Sequence, residues 1–247
     1  LIYKLFYQQS EGLEDFHYYL CRQLKGGGME IYMRMLFVTM NTLNGIKNGG
    51  NQCTTRNLQL MRSIYGKENV DICAASKNDG EIVGEDGNYT IQLMKSRIWQ
   101  FLSGLILHID LTRKSIEFLY KLARREKYEV IFFDNTRLGR IIKKLKRDKV
   151  IKSKVIVFAH NVEKDILWQR VKNENILCLP LYFATAYCEK LSIKYSDLLF
   201  SLSKRDGNVF ETIYYRKLDY VVPITFTDKY KTELKEYILP ERSLVFV

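Results

Sequence analysis

Four loops of this sequence carry side chains that could do chemistry. Each follows a hydrophobic run typical of a buried strand and combines glycine, polar or charged residues; they span residues 41–50, 134–139, 159–163 and 203–206. In a parallel α/β sheet, ligands bind at the carboxyl ends of the strands. These loops are therefore where binding or catalytic residues are expected.

Gly49 and Gly50 end the first loop and lead directly into a predicted helix. Backbone N–H groups at a helix N-terminus can face a phosphate or another anion. The spacing matches neither the G-x-G-x-x-G pattern nor a P-loop. Two glycines are equally compatible with a simple tight turn.

His160 is the best-placed candidate among the three histidines. His17 lies in an atypical N-terminal segment, and His108 lies on a mostly apolar predicted helix. His160 instead follows a strand directly, with Asn161 and Glu163 close by, where an imidazole can be either a functional or a structural loop residue.

The two remaining loops are explained in part by helix capping. Asp134 follows a hydrophobic strand, and a lone carboxylate there is more often a helix cap than a catalyst. Ser203 and Asp206 have the spacing of a capping box. Arg205 is not explained by capping and could face an anion.

Alternating strand and helix periods must position these loops. Strands are predicted at 34–40, 70–74, 89–94, 128–134, 154–159, 197–201, 219–223 and 243–247, and helices at 51–65, 96–108, 136–148, 203–213 and 228–237. A further helix begins at Asp110 or Thr112 and ends near Arg125, and 162–195 is a long helical region. The polar segment 76–88 is expected to be a hairpin or a mobile loop. This order predicts an α/β, Rossmann-like, doubly wound and mainly parallel sheet with helices on both faces.

Composition limits the class of protein. The 247 residues are 47% hydrophobic and 27% charged, so the chain can bury a core. The net charge of +11 favours an anionic partner such as nucleic acid, a phosphorylated ligand or an acidic lipid surface. Five scattered cysteines without a C-x-x-C pair argue against a disulfide framework and a metal site, and for a cytoplasmic protein.

Membrane contact is a separate hypothesis. The apolar stretches 101–109 and 175–188 fall short of the roughly 20 residues that a span requires, and no signal-peptide pattern is present. The basic residues within 124–127 and 143–154 form either a solvated surface or a patch that attracts the anionic inner face of a membrane.

The motifs together resemble the N-terminal half of a GT-B glycosyltransferase of the family 4 kind. The resemblance covers roughly residues 33–247 and rests on Met35–Thr39 with Gly49-Gly50, on 134–139, on the sequence HNVE at 160–163 and on E-K-x-x-I-K-x-S-D at 189–197. It divides the chain into a leader helix with a glycine-rich linker at 1–28, which is either native or foreign, a Rossmann-like domain at 29–240, and the start of a C-terminal domain at 241–247.

The resemblance implies the acceptor-binding half of a retaining enzyme. Such an enzyme moves a sugar from a nucleotide-sugar to a glycan or lipid-linked acceptor and needs neither another cofactor nor a metal. It implies that Gly49 and Gly50 approach the donor diphosphate and that His160 lies near the anomeric centre, with Asn161, Glu163, Asp134, Ser203 and Arg205 as further ligand-binding candidates. Alone, the chain is expected to be inactive.

Replacing His160 by alanine is expected to lower turnover by about 10² with little change in stability. A natural half-enzyme that needs a partner chain is one alternative. A basic nucleic-acid-binding domain is another, although no RNA- or DNA-binding motif accompanies the charge.

Overall fold

The computed structural model describes residues 34–43, 49–76, 88–94, 97–108, 110–173 and 176–222. Within these residues the chain forms seven β-strands and seven α-helices. The predicted leader at 1–28, the helix at 228–237 and the strand at 243–247 lie outside them.

The strands form one parallel sheet in the order β3-β2-β1-β4-β5-β6-β7. Their bounds are β1 Met35–Thr39, β2 Val70–Ser76, β3 Asn88–Gln92, β4 Val130–Phe133, β5 Lys154–Ala159, β6 Leu198–Ser201 and β7 Tyr220–Val221. Every neighbouring pair is parallel. The predicted doubly wound α/β sheet is thus confirmed, and its order reverses between β1 and β4, which makes that point the expected ligand crevice.

The α-helices connect and cover these strands. They are α1 Gly49–Tyr65, α2 Arg97–Leu105, α3 Arg113–Glu126, α4 Gly139–Arg147, α5 Glu163–Asn173, α6 Leu179–Tyr195 and α7 Lys204–Tyr214. Short 3₁₀ helices lie at Lys67–Asn69, Thr136–Leu138 and Ile176–Cys178.

Three local expectations are refined by the structure. The helix predicted from residue 136 begins as a 3₁₀ turn and becomes α-helical only at Gly139. The helical region 162–195 consists of α5 and α6. Thr112 rather than Asp110 caps α3, because the Thr112 side chain accepts a hydrogen bond from the Ser115 N–H.

The hairpin predicted at 76–88 is wrong. A hairpin would make β2 and β3 antiparallel, whereas Ile72 pairs with Asn88 and Ala74 with Thr90 in a parallel register. Glycines and aspartates in 76–88 signal a turn but not its direction, and residues 77–87 themselves lie outside the described residues.

Both faces of the sheet are buried. Along β1, Met35 and Phe37 pack toward α1, whereas Leu36 and Val38 pack toward the layer formed by α3, α4, α6 and α7. Burial of each such side chain contributes about 1.5–3 kcal/mol. The central strands β1, β4, β5 and β6 are therefore almost continuous hydrophobic runs in the sequence rather than alternating ones.

Helices α4 and α6 make a close backbone contact. A Cβ atom added to Gly139 would lie 1.9 Å from the carbonyl oxygen of Cys188. Any side chain at this position would therefore force the two helices apart.

One helical stretch of the described residues, Ile176–Tyr195, is long and apolar enough to cross a membrane by length and composition alone. The uncharged run 175–188 is too short to span a membrane, but the helix continues beyond it to Tyr195. In the structure Glu189, Ser192 and Ile193 of this stretch are buried within the domain. A buried carboxylate with protein partners is typical of a helix that packs in a core.

Candidate functional site

A buried carboxylate, Asp134, lies at the switch point of the sheet. It follows β4 directly and is fully buried. Its oxygens accept hydrogen bonds from Thr54 Oγ1 at 2.5 Å, Asn57 Nδ2 at 2.7 Å and Thr39 Oγ1 at 3.4 Å. Side chains from β1 and α1 thus hold Asp134 in place.

His160 faces this carboxylate from the end of β5. Its Nε2 lies 3.1 Å from Asp134 Oδ1, and only 8% of the His160 side chain is exposed. Nε2 makes no aligned hydrogen bond with any described residue, so attraction between the charges dominates the contact. The edge of the imidazole packs on Phe158, with ring centroids 5.1 Å apart.

The protonation of His160 follows from two opposing effects. Burial lowers the pKa of the imidazole, but the nearby Asp134 carboxylate, helped by the Cys53 thiol, outweighs burial and raises it to about 10. At neutral pH His160 is therefore an imidazolium, which donates hydrogen bonds and cannot accept a proton. A strongly shifted group at the carboxyl edge of the sheet is a functional-site candidate.

The N-terminus of α1 lies beside this pair. Asn41 Nδ2 donates to Thr54 Oγ1 at 2.7 Å and to the Gly50 carbonyl at 3.5 Å, which ties the first turn of α1 to the loop after β1. That turn contains no acidic residue. The helix dipole and the imidazolium therefore both favour an anion at this edge.

Gly49 is not required by packing among the described residues. It is exposed, and a Cβ atom there would meet nothing within 4 Å. A glycine in open space at a helix start leaves room for a ligand to approach the backbone.

Arg56 adds a second cationic side chain near the His160–Asp134 pair. Its guanidinium donates to Asn57 Oδ1 at 2.7 Å and lies 5.9 Å from the centroid of the Phe158 ring. Burial lowers the pKa of Arg56, yet an arginine remains charged at neutral pH.

The other residues of the 160–163 loop do not orient the imidazole. Asn161 is exposed. Glu163 is buried at the start of α5, where burial raises its pKa, and it accepts a hydrogen bond from Asn135 Nδ2 at 3.5 Å. Asp134 provides the contact with His160 instead.

Glu189, from the 189–197 motif, forms a hydrogen bond with the segment that follows His160. Its carboxylate accepts hydrogen bonds from the Glu163 N–H at 2.6 Å and from the Tyr214 hydroxyl at 2.7 Å. Burial raises the pKa of Glu189 to about 7, although these two hydrogen bonds oppose the shift. The motif glutamate therefore caps α5 and fixes the segment that carries His160.

Ser203 and Arg205 lie apart from the cluster. Ser203 caps α7 by accepting the Asp206 N–H at 3.1 Å, as the capping box predicts. Arg205 is exposed and lines a shallow groove of about 390 Å³ along α7. Since β6 is two strands from β4, these residues sit roughly 10 Å from Asp134 by strand spacing.

Sequence reasoning missed four members of the cluster: Thr39, Asn41, Thr54 and Asn57. A signal exists on α1, where Asn51, Thr54 and Asn57 recur every third residue and extend the buried face of Leu58 and Met61 toward the helix N-terminus. Polar residues on a buried face need partners. That requirement points to a buried polar group at the adjacent strand ends.

Comparison with known proteins finds a similarity in structure but none in sequence. No protein-family model matches the chain, and no curated protein matches it. Among solved structures, the chain is similar to a sucrose-phosphate synthase from Thermosynechococcus elongatus at 14% identity and a TM-score of 0.44, over 78% of this chain and 90% of that one.

Proposed function

We propose that the chain is the acceptor-side domain of a two-domain, GT-B-like glycosyltransferase. In this proposal the enzyme moves a sugar from a nucleotide-sugar to a glycan or lipid-linked acceptor with retention of configuration. The observation that carries the proposal is the buried His160–Asp134 pair at the switch point, next to the acid-free N-terminus of α1. That edge suits a ligand with both a diphosphate and hydroxyl groups.

In this proposal the role of His160 follows from its charge state. In sugar transfer the bond between the anomeric carbon and the phosphate oxygen breaks, and the departing phosphate gains negative charge. An imidazolium held by Asp134 stabilises that charge and donates a hydrogen bond to the donor, which lowers the barrier. It does not act as a general base, because its pKa of about 10 keeps it protonated at neutral pH.

The glycines contribute space and backbone donors. Gly49 and Gly50 leave the first turn of α1 open to the donor diphosphate. Asn161, exposed beside His160, is available to a sugar hydroxyl. Glu163 instead accepts a hydrogen bond from Asn135 at the start of α5, and Ser203 caps α7. Arg205 would contact a ligand only if that ligand extends toward α7.

Catalysis in this proposal needs a donor-binding domain that faces the carboxyl edge, in the same protein or in a partner chain. No metal and no cofactor besides the nucleotide-sugar take part. A cytoplasmic location fits the nucleotide-sugar donor. Contact with an anionic membrane that holds the acceptor is an additional proposal, carried by the basic helix α4.

The test measures transfer with the donor-binding domain supplied. His160→Ala removes both the charge and the N–H donor, so turnover should fall by about 10² or more. His160→Gln keeps an N–H donor without the charge, so its loss isolates the electrostatic contribution. Tyr128→Phe, a buried substitution before β4, is the control and should retain parental turnover.

Thermal unfolding of each variant accompanies the assay, because loss of fold would imitate loss of catalysis. A folded His160→Ala protein that transfers sugar at the parental rate would contradict the proposed site.

A thiol nucleophile is the second candidate, because Cys53 interacts with His160 and thus completes a thiol, imidazole and carboxylate series with Asp134. Cys53 is only 4% exposed, which disfavours attack on a substrate. Cys53→Ala distinguishes the two functions. Sugar transfer should survive this substitution, whereas a thiol-dependent reaction would be abolished.

A further inference from the structure

A second cationic site lies away from the switch point, in a pocket between α3, α4 and α6. The pocket has a volume of about 580 Å³. Six charged side chains line it: Arg113, Glu117, Arg140, Lys143, Lys144 and Arg147. None of them belongs to the Asp134–His160 cluster.

The charge in this pocket is poorly neutralised. Five lining residues are cationic and one, Glu117, is a carboxylate, which pairs with Lys144 at 2.6 Å. Arg113, Lys143 and Arg147 form no ion pair with any residue that the structure describes. Lys146 on the same helix differs in this respect, because it pairs with Asp197 at 2.8 Å.

Arg140 forms the inner wall. One terminal nitrogen donates to the Ile106 carbonyl at 2.8 Å, and the guanidinium lies 5.9 Å from the centroid of the Tyr187 ring. Its Nε is buried and makes no hydrogen bond within the described part of the chain. A buried N–H without an acceptor is uncommon, and it leaves a donor unused at the pocket.

We propose that this pocket binds a phosphate-bearing anion. Guanidinium and ammonium groups are the side chains that recognise phosphate oxygens, and four of the five cations here have no carboxylate partner among the residues that the structure describes. The phosphate could belong to a phospholipid headgroup or to a soluble diphosphate, since the recognition chemistry is the same. The pocket is separate from the Asp134–His160 site, and a lipid headgroup in it would deepen the membrane contact proposed for α4.

His108 provides a reporter inside the pocket. Its Nε2 donates to the Leu111 carbonyl at 2.8 Å. Burial lowers the pKa of His108, and Arg140 and Arg113 lower it further, whereas Asp110 raises it. A bound anion would offset the two arginines, so the pKa of His108 should rise when the pocket is occupied.

The experiment compares the folded chain with two double variants. Lys143→Gln with Arg147→Gln removes two pocket cations that make no ion pair. Lys149→Gln with Lys152→Gln removes the same charge from exposed positions outside the pocket. Binding is measured to inorganic pyrophosphate by calorimetry and to phosphatidylcholine vesicles with and without phosphatidylglycerol by co-sedimentation.

The pocket variant should bind about tenfold more weakly, or worse, than the parent, and the control variant much less so. Loss confined to phosphatidylglycerol vesicles identifies a lipid headgroup, and loss of pyrophosphate binding identifies a soluble ligand. His160→Gln should keep the vesicle binding and the pyrophosphate binding that the pocket variant loses, so any pyrophosphate binding lost only in His160→Gln belongs to the switch point.

The proposal is overturned if neither probe binds, if both double variants weaken binding equally, or if the NMR titration of His108 is unchanged by a saturating probe.

Discussion

Two buried carboxylates sit at opposite ends of the same sheet and have different partners. At the amino end, Asp71 accepts hydrogen bonds from Arg34 at 2.7 Å and from the Tyr128 hydroxyl at 2.5 Å. At the carboxyl end, Asp134 faces His160 together with neutral donors.

The two carboxylates differ in whether their cationic partner can titrate and in whether the N–H groups of that partner are hydrogen-bonded. Arg34 is permanently charged, also pairs with Glu126 at 2.9 Å and is 42% exposed. His160 is buried, and its Nε2 lacks an aligned hydrogen bond within the described residues. The amino-end ion pairs are complete as a structural contact, whereas the carboxyl-end pair holds a buried cation beside the N-terminus of α1, where both favour an anion.

The largest expected difference between the two carboxylates is the loss in free energy of unfolding when each is replaced by alanine. Asp134→Ala removes the anion that keeps His160 protonated and leaves the buried donors of Thr54 and Asn57 without their acceptor, so it should lower the free energy of unfolding by about 3–5 kcal/mol. Asp71→Ala should cost only about 1–3 kcal/mol, because Arg34 keeps Glu126 and can reach water. Urea unfolding of both variants at neutral pH measures the difference. Equal losses would remove the distinction between the two ends.

The second contrast is pH dependence. The pKa of His160 is about 10 in the folded chain against 6.5 as its ordinary value, so the pair's stabilisation is complete below pH 6.5 and is lost as the pH rises toward 10. The loss is on the order of 5 kcal/mol. It should appear as a difference between the parent and His160→Gln in unfolding measured across this range.

The same titration tests the amino end. Asp71→Asn should leave the pH slope between 6.5 and 10 intact, since Arg34 does not titrate there. A slope that survives in His160→Gln would show that another group carries it.

A smaller effect is expected from Tyr128→Phe. Burial, together with the hydrogen bond to Asp71, raises the pKa of Tyr128, so its hydroxyl stays protonated and acts only as a donor. Removing it should cost about 1 kcal/mol of unfolding free energy. Calorimetry with nucleoside diphosphates should show unchanged affinity; weaker binding would connect the two ends of the sheet.

The smallest change in stability is expected for Gly49→Ala. Because no described atom lies within 4 Å of the new Cβ, stability should stay within about 0.5 kcal/mol of the parent or rise slightly. If a diphosphate approaches the first turn of α1, its affinity should nevertheless fall. A variant with parental affinity would show that the glycine serves only the turn.

The sheet was well predicted from the sequence, because a strand that is buried on both faces is a continuous run of hydrophobic residues. Lys154–Ala159 and the Ser203 cap lie where the pattern places them. The direction of β3 was not predictable in the same way. Turn-forming residues in 76–88 are compatible both with a hairpin and with a crossover to a parallel strand.

The site was predicted only in part, because its members are distant in sequence. The order of the motifs singled out both Asp134 and His160, but it did not indicate that they touch. The expectation that His160→Ala leaves stability unchanged reflects this gap, because the buried ion pair makes a sizeable loss of stability the physical expectation. Glu189 likewise belongs to a recognisable motif, yet only its contact with the Glu163 N–H shows what the carboxylate does.

The backbone contact between Gly139 and Cys188 has a consequence for the cationic pocket. Helices α4 and α6, which supply much of the pocket wall, are held together by main-chain atoms rather than by adjustable side chains. The pocket is therefore preorganised: a phosphate entering it need only order a few lysine and arginine side chains, and little of its binding free energy is lost to rearranging the protein.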